Sequence, residues 1–439
     1  MADIRPFPGI RYAQSDNLAA LVTPPYDVIS PDAQQRYYER DPHNIIRLEL
    51  GRETPSDDEL DNRYTRAARD FAEWRLHGIL AQDAPALYLY EQRFTVTGAQ
   101  HRRLGLLARV RLEPWEAGVI LPHEYTLSKP KDDRLKLFRA CAANLSPLMT
   151  LYDDPTGELA RDLETITQTA PLADFADETG EQHRLWSLTD PAATARVAAF
   201  FADRQLYIAD GHHRYETSLT YRDEQATLRK EPLAPDDPAN FVLMSLSAIE
   251  DPGLVVLPTH RVLRGLDLTR LADLDAALQP SFALEPLPTL DDATAVLARA
   301  QAAGDTAFVL VRPEGDPLLL RLTDAGRDAM AQLTGEQASA SAAWRRLDLA
   351  VLHELVLNRA LGITPDMVRA GEHVTYTRDA DAAIRDVRDH RDGAALAVLV
   401  NPTPPAAIRD VARTGDRMPQ KSTYFYPKLI TGLVINPLW

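Results

Sequence analysis

Apolar and polar positions change period several times along the chain, and each change marks an element. Alternation in Ala86–Val96, ALYLYEQRFTV, and again in Arg102–Leu112 predicts two strands joined through TGAQ as a hairpin buried on one face. His43–Leu50, Ser146–Tyr152 and His183–Leu188 read as further strands. Phe241–Ile249 and Ala395–Val400 are nearly continuous apolar runs, the mark of strands covered on both faces. Helical spacing of apolar residues predicts helices over Asp57–Gly78, from about Asp132, over Gly157–Gln168 and over Ala192–Ala202. Ser30-Pro31-Asp32 is a start signal for a short helix over Ala33–Glu39. After Leu266 the text becomes Ala/Leu/Asp-rich, with helices over Leu268–Leu278, Asp291–Ala303, Ala343–Leu361 and Asp379–His390 around one hairpin, Ala307–Arg312 with Leu318–Leu322. The expectation is an α/β (α+β) chain in three stretches: residues 1–265 as a core, 266–392 as a more helical module, and 393–439 as a C-terminal segment that returns to the core.

Composition narrows the functional classes. With 439 residues, 45% hydrophobic and 26% charged, the chain has ample material for a packed core. The net charge of −16 opposes general attraction to nucleic acid or to an anionic membrane. The N-terminal MADIRPFPGIRY carries Asp3 and Arg5 where a leader would need an apolar centre, so a cytoplasmic place is expected. Cys141 is the single cysteine, which leaves no intrachain disulfide and no thiolate metal cluster. His353-Glu354 lacks the second histidine of a zinc-protease helix, because position 357 is leucine. Gly415 and Lys421-Ser422-Thr423 imitate a P-loop, but position 420 is glutamine and YFYP follows where a helix should open.

The strongest chemical signal is LYIADGHHRYETSLTY, Leu206–Tyr221. It reads as strand, tight turn and helix, with Asp210 as the expected N-cap. His212, His213 and Arg214 then crowd a first turn where the helix dipole is already positive. Cations there, beside exposed amide N–H groups, call for an anion such as a phosphate or carboxylate. Three stretches offer companions: Asp27 after the stiff Pro24-Pro25; His123, Glu124, Lys129 and Lys131 in HEYTLSKPK; and Lys421 and Ser422 near the C-terminus. Histidines 123, 212, 213 and 260 also allow a metal-dependent hydrolase, though none of them has HxH or HExxH spacing.

PPYDVIS, HEYTLSKPKDDRLKL, YIADGHHRYET and KSTYFYPKL, in that order, resemble the motifs of a large bacterial and archaeal family, domain of unknown function family 1015. The resemblance implies a ParB/sulfiredoxin-like mixed-sheet core. Its DGHHR turn is similar to the equivalent motif of the archaeal ADP-dependent free serine kinase, whereas sulfiredoxin's cysteine is replaced here by Gly211. What this implies is phosphoryl transfer between a nucleotide and a small hydroxyl compound, serine or phosphoserine. Asp210, His212 and His213 would sit at the chemistry, with Glu124 and then Asp27 as candidate bases. Gly211, Arg214, His123, Lys129, Lys131, Lys421 and Ser422 would handle phosphate. Mg²⁺ with ADP or ATP would be the cofactor, with Asp210 a possible magnesium ligand and no tightly bound group. The competing expectation is a ParB-like nucleotide switch with no small acceptor. A homodimer is compatible with either.

Overall fold

The computed structural model describes residues 1–439 apart from Ser15, Leu127 and Asp291, and for Ser128, Lys129, Leu268 and Glu336 it describes the backbone alone. Contacts divide the chain into two units. The first comprises Met1–Pro122, Thr126–Val255 and Pro427–Trp439, and the second His123–Tyr125 and Val256–Tyr426.

The first unit is built on a nine-stranded mixed sheet. Its strands are β1 (Ile4–Arg5), β2 (Leu87–Val96), β3 (Ala99–Arg111), β4 (Ile120–Leu121), β5 (Leu148–Tyr152), β6 (Ala173–Ala176), β7 (Gln182–Leu188), β8 (Leu206–Asp210) and β9 (Phe241–Ala248). They lie in the order β4-β8-β5-β9-β3-β2-β7-β6, with β1 also on β3. The β2–β3 hairpin turns at Thr97-Gly98, where both residues have positive φ (48° and 80°), the conformation a two-residue hairpin prefers. Leu87 and Leu89 join Leu106, Ala108, Leu148, Ile208 and Phe201 in one apolar core. The opposite face was expected to meet solvent, yet Tyr88, Tyr90 and Gln92 are buried as well. The cause is the last stretch of chain, which lies on that face: Gln92 Nε2 donates to the Lys428 carbonyl at 3.0 Å, and Arg109 Nε to Asn436 Oδ1 at 2.9 Å.

Helices of this unit start where the sequence offers caps. Ser30 accepts the Ala33 N–H at the head of α1 (Pro31–Arg40), and Asn62 forms a capping box with Thr65 at α2 (Arg63–Leu76). Three further helices matter below: α3 (Ser128–Cys141), α4 (Pro191–Phe201) and α5 (His212–Arg229). His43–Leu50 is not a strand. Asn44 Oδ1 accepts the Ile46 N–H at 2.9 Å, and this side-chain turn starts a short helix, Ile46–Glu49, in place of an extended run. Cys141 is buried, and burial pushes its thiol up to about 12, so it is an inert core residue.

The second unit has a six-stranded, wholly antiparallel sheet. Its strands are β10 (His260–Arg264), β11 (Phe282–Pro286), β12 (Ala307–Val311), β13 (Leu318–Leu322), β14 (Val374–Thr377) and β15 (Ala394–Leu399). Leu297 and Ala300 of α6 (Ala293–Ala302) and Ala383 and Val387 of α7 (Ala380–Arg388) pack on Val309, Val311 and Ala397. The single helix expected over Ala343–Leu361 is three pieces. Leu347 takes an extended backbone (φ −64°, ψ 127°), and Leu352–Ala360 is wound as a π-helix. The whole is an α+β protein. Among the described residues no helix is long and apolar enough to cross a membrane.

Candidate functional site

Strand β8 carries Leu206 and Ile208 into the apolar core, and strict alternation would send Asp210 after them. A bulge prevents this. Tyr207 pairs with Leu151 and Ile208 with Thr150, but Asp210 pairs with Met149, so Ala209 is one residue too many. The extra residue turns Asp210 to the opposite, polar face. Gly211 follows with φ +98°, and a Cβ there would stand 3.0 Å from Arg214 Nη2 and 3.1 Å from Leu148 Cγ. Gly211, not Asp210, is the N-cap residue of α5, and no side chain caps this end. The Asp210 carboxylate is turned away from the helix amides because two cations hold it.

Lys428 Nζ donates to Asp210 Oδ1 at 2.5 Å, and Arg214 Nη2 to Asp210 Oδ2 at 3.1 Å. Burial alone would raise the Asp210 carboxyl, but the Lys428 and Arg214 charges overcome it and hold it well below the usual carboxylate range. One negative charge therefore faces two positive ones at the N-terminus of an 18-residue helix. Arg214 is fixed from behind: Nη1 donates to Ser146 Oγ at 3.0 Å and to the Pro147 carbonyl at 2.7 Å. The Ser146 hydroxyl donates in turn to Glu49 Oε1 at 3.1 Å, and Arg134 Nη1 reaches the same oxygen at 3.3 Å. The Arg134 guanidinium lies 4.0 Å from the ring centre of Tyr26. Burial pushes the Tyr26 hydroxyl up to about 12, against the lowering pull of Arg134 and Arg214. The turn that bears Asp27 is thus within reach of the Arg214 charge.

A polar row across the sheet positions Lys428. His183 of β7, Gln92 of β2 and Arg103 of β3 are cross-strand neighbours, and all three are buried. Arg103 Nη2 donates to the Pro427 carbonyl at 2.6 Å and also to Gln92 Oε1, while Gln92 Nε2 holds the Lys428 carbonyl. Backbone 427–428 is thereby pinned to two strands, and the ammonium reaches Asp210 from a fixed root. A cleft of about 610 Å³ in the same unit, lined by Tyr152, Asp154, Glu164 and Asp251 among others, contains none of these residues.

A family model described as protein of unknown function (DUF1015) matches residues 4–350. The chain belongs to that family. Similar solved structures include a conserved hypothetical protein from Pyrococcus furiosus, 11% identical over 74% of this chain and 92% of that one, TM-score 0.33. Another is a free serine kinase in complex with AMP, 11% identical, 73% and 86% covered, TM-score 0.33. A third is SbnI with a C-terminal truncation from Staphylococcus aureus, 10% identical, 76% and 87% covered, TM-score 0.35. No curated protein matches the chain.

In this DUF1015 protein the residues singled out by sequence fall into two groups. Asp210, Gly211, His212, His213 and Arg214 lie together at the head of α5, His212 buried and His213 half-buried. Asp27 is exposed on the single turn Tyr26–Val28. Lys131 Nζ, on α3, donates to Glu216 Oε2 at 2.9 Å, and the Lys129 side chain lies outside the described residues. The other four belong to the second unit. There His123 Nε2 meets Thr423 Oγ1 at 3.1 Å, the Lys421 N–H points at Glu124 Oε1 at 3.4 Å, and the Ser422 hydroxyl donates to the Pro419 carbonyl at 2.5 Å. Lys421 is exposed with φ +55°, and no helix follows it, as YFYP requires. Sequence reading passed over Lys428 as a site residue, along with the scaffold of Ser146, Glu49, Arg134, Gln92 and Arg103. One signal was available: Lys428 closes the KSTYFYPKL motif.

Proposed function

We propose that this protein is a nucleotide-using, phosphotransferase-like enzyme acting on a small hydroxyl compound. The observation that carries the reading is the Asp210 clamp, one half-buried carboxylate against a guanidinium and an ammonium at a long helix's N-terminus. A phosphate group suits that surplus, since backbone N–H groups and both cations favour added negative charge. In the reaction the acceptor oxygen attacks phosphorus, the bond from phosphorus to the nucleotide oxygen breaks, and the hydroxyl proton passes to a carboxylate. Arg214 and Lys428 neutralise the phosphoryl oxygens during transfer. His213, half-buried in the first turn, orients or protonates the moving group, with His212 behind it. Asp27, on the first unit, is the proton acceptor we assign. Mg²⁺ would enter with ADP or ATP and supply charge neutralisation during transfer, with Asp210 left to its two cations. Serine and phosphoserine head the substrates, on the strength of the DGHHR resemblance.

The deciding assay offers the full chain Mg²⁺ with serine plus ADP or ATP, and separately phosphoserine plus AMP or ADP, and follows products by chromatography. Transfer in wild type, abolished in His213→Ala with an unchanged unfolding curve, is the expected result. A nucleotide that raises the melting temperature while no phosphate moves would sink the transfer reading in favour of a ParB-like switch. No nucleotide effect of either kind would overturn both.

A further inference from the structure

We propose that the β6–β7 hairpin is a binding site for a divalent first-row transition ion, with Zn²⁺ as the best fit. The proposal is independent of the phosphoryl-transfer reading. The hairpin is DFADETGEQH, and its Asp177, Glu181 and His183 place one donor atom each within 4.8 Å of one another. His183 is fully buried, and its Nε2 makes no hydrogen bond. Its other ring nitrogen is held by the Tyr90 hydroxyl, 2.7 Å away, and Phe175 and Tyr90 pack against the ring at centroid distances of 5.2 and 5.9 Å. A buried imidazole oriented through one nitrogen, with the other aimed at carboxylates, is how metal-binding histidines are prepared.

Asp177 is prepared too. Its Oδ1 accepts the Thr179 N–H and hydroxyl, both at 2.8 Å, and the Glu181 N–H at 3.0 Å. That leaves Oδ2 facing His183 Nε2 at 3.3 Å. The distance is long for a charge-assisted hydrogen bond, which runs about 2.7–2.9 Å. It matches the edge of a tetrahedron whose metal–ligand bonds are about 2.0–2.1 Å, an edge of roughly 3.3–3.4 Å. Glu181 offers the third ligand atom, and water would take the fourth position. One imidazole and two carboxylates suit a borderline ion such as Zn²⁺ better than Mg²⁺ or Ca²⁺.

Chelator-treated full-length protein titrated with ZnCl₂ by calorimetry tests this, with Co²⁺ absorption as a site-specific readout. Wild type should bind one equivalent that His183→Gln loses, and Tyr90→Phe should keep the stoichiometry while weakening affinity about 10- to 100-fold. Glu181→Gln gives the same reading should His183→Gln fail to fold. Absence of an equivalent in wild type, or equal binding by wild type, His183→Gln and Glu181→Gln, overturns the proposal.

Discussion

Two half-buried carboxylates, one in each unit, are treated in opposite ways. Asp210 is flanked by Lys428 and Arg214 and is held ionised. Asp348 of the second unit has the Thr306 hydroxyl at 2.8 Å, and burial pushes it up to about 6 despite that hydrogen bond. Burial acts on both; the difference is whether cations were recruited against it. Two buried arginines, Arg214 and Arg261, show the same contrast. Arg214 is tied to a carboxylate, whereas the fully buried Arg261 of the second unit is held by carbonyls of Thr259, Gln420 and Lys421. Around Asp210 the first unit brings charges together with a local positive surplus, whereas Asp348 and Arg261 of the second unit are each met by neutral dipoles. A connected surplus is what a charged ligand can use; singly solvated charges serve to tie loops.

Asp210→Asn strikes this contrast hardest. It leaves two cations facing each other across a neutral amide, and stability in urea should fall by about 3–5 kcal/mol. Inorganic phosphate should restore part of the loss, because it binds the folded state and replaces the missing charge. Since the folded carboxyl sits below its ordinary range, its contribution is complete above about pH 4 and declines as the pH falls further. A variant with the wild-type urea midpoint would mean that Asp210 is not the counter-charge.

Much of this architecture could be read in the sequence, and the parts that could not have physical reasons. The β2–β3 hairpin was legible because strand period and the Thr97-Gly98 turn are both local. The buried second face of β2 was not, since its cover comes from residues more than three hundred positions away. The head of α5 announced itself through cations at the wrong end of a helix dipole. Its principal partner, Lys428, is 218 residues distant, and the Ala209 bulge that aims Asp210 leaves no mark in the local composition. At Ile46–Glu49 an asparagine side-chain turn outweighed strand-like residues, a competition that only tertiary packing decides.

The Asp348 side of the contrast gives the next largest effect, with the opposite sign. Its carboxyl binds a proton more tightly in the folded state, so its contribution to stability is fully present below about pH 4 and is lost as the pH rises through about 6. Asp348→Asn keeps a partner for Thr306 without the charge. At pH 8 it should stabilise the protein by up to about 3 kcal/mol, and at pH 4 by almost nothing. Urea unfolding at the two pH values checks this. Equal effects at both would show that Asp348 is compensated after all, as Asp210 is.

The smallest effect concerns where the charged set ends. Lys131 Nζ sits 2.9 Å from Glu216, and the Thr126 hydroxyl reaches the same oxygen at 2.6 Å. Both members of the pair are about a third exposed, 35% and 27%, so solvent screens most of their attraction. Lys131→Ala should cost less than about 1 kcal/mol of stability. If phosphate contact belongs to Arg214 and Lys428, the same variant changes phosphate affinity by less than about twofold, because an ammonium already neutralised by Glu216 adds little field. A tenfold fall, about 1.4 kcal/mol, would instead mean that the ligand draws Lys131 away from Glu216. The surplus at the head of α5 would then extend onto α3, and a site made of two fixed cations would become one that a mobile third completes on binding.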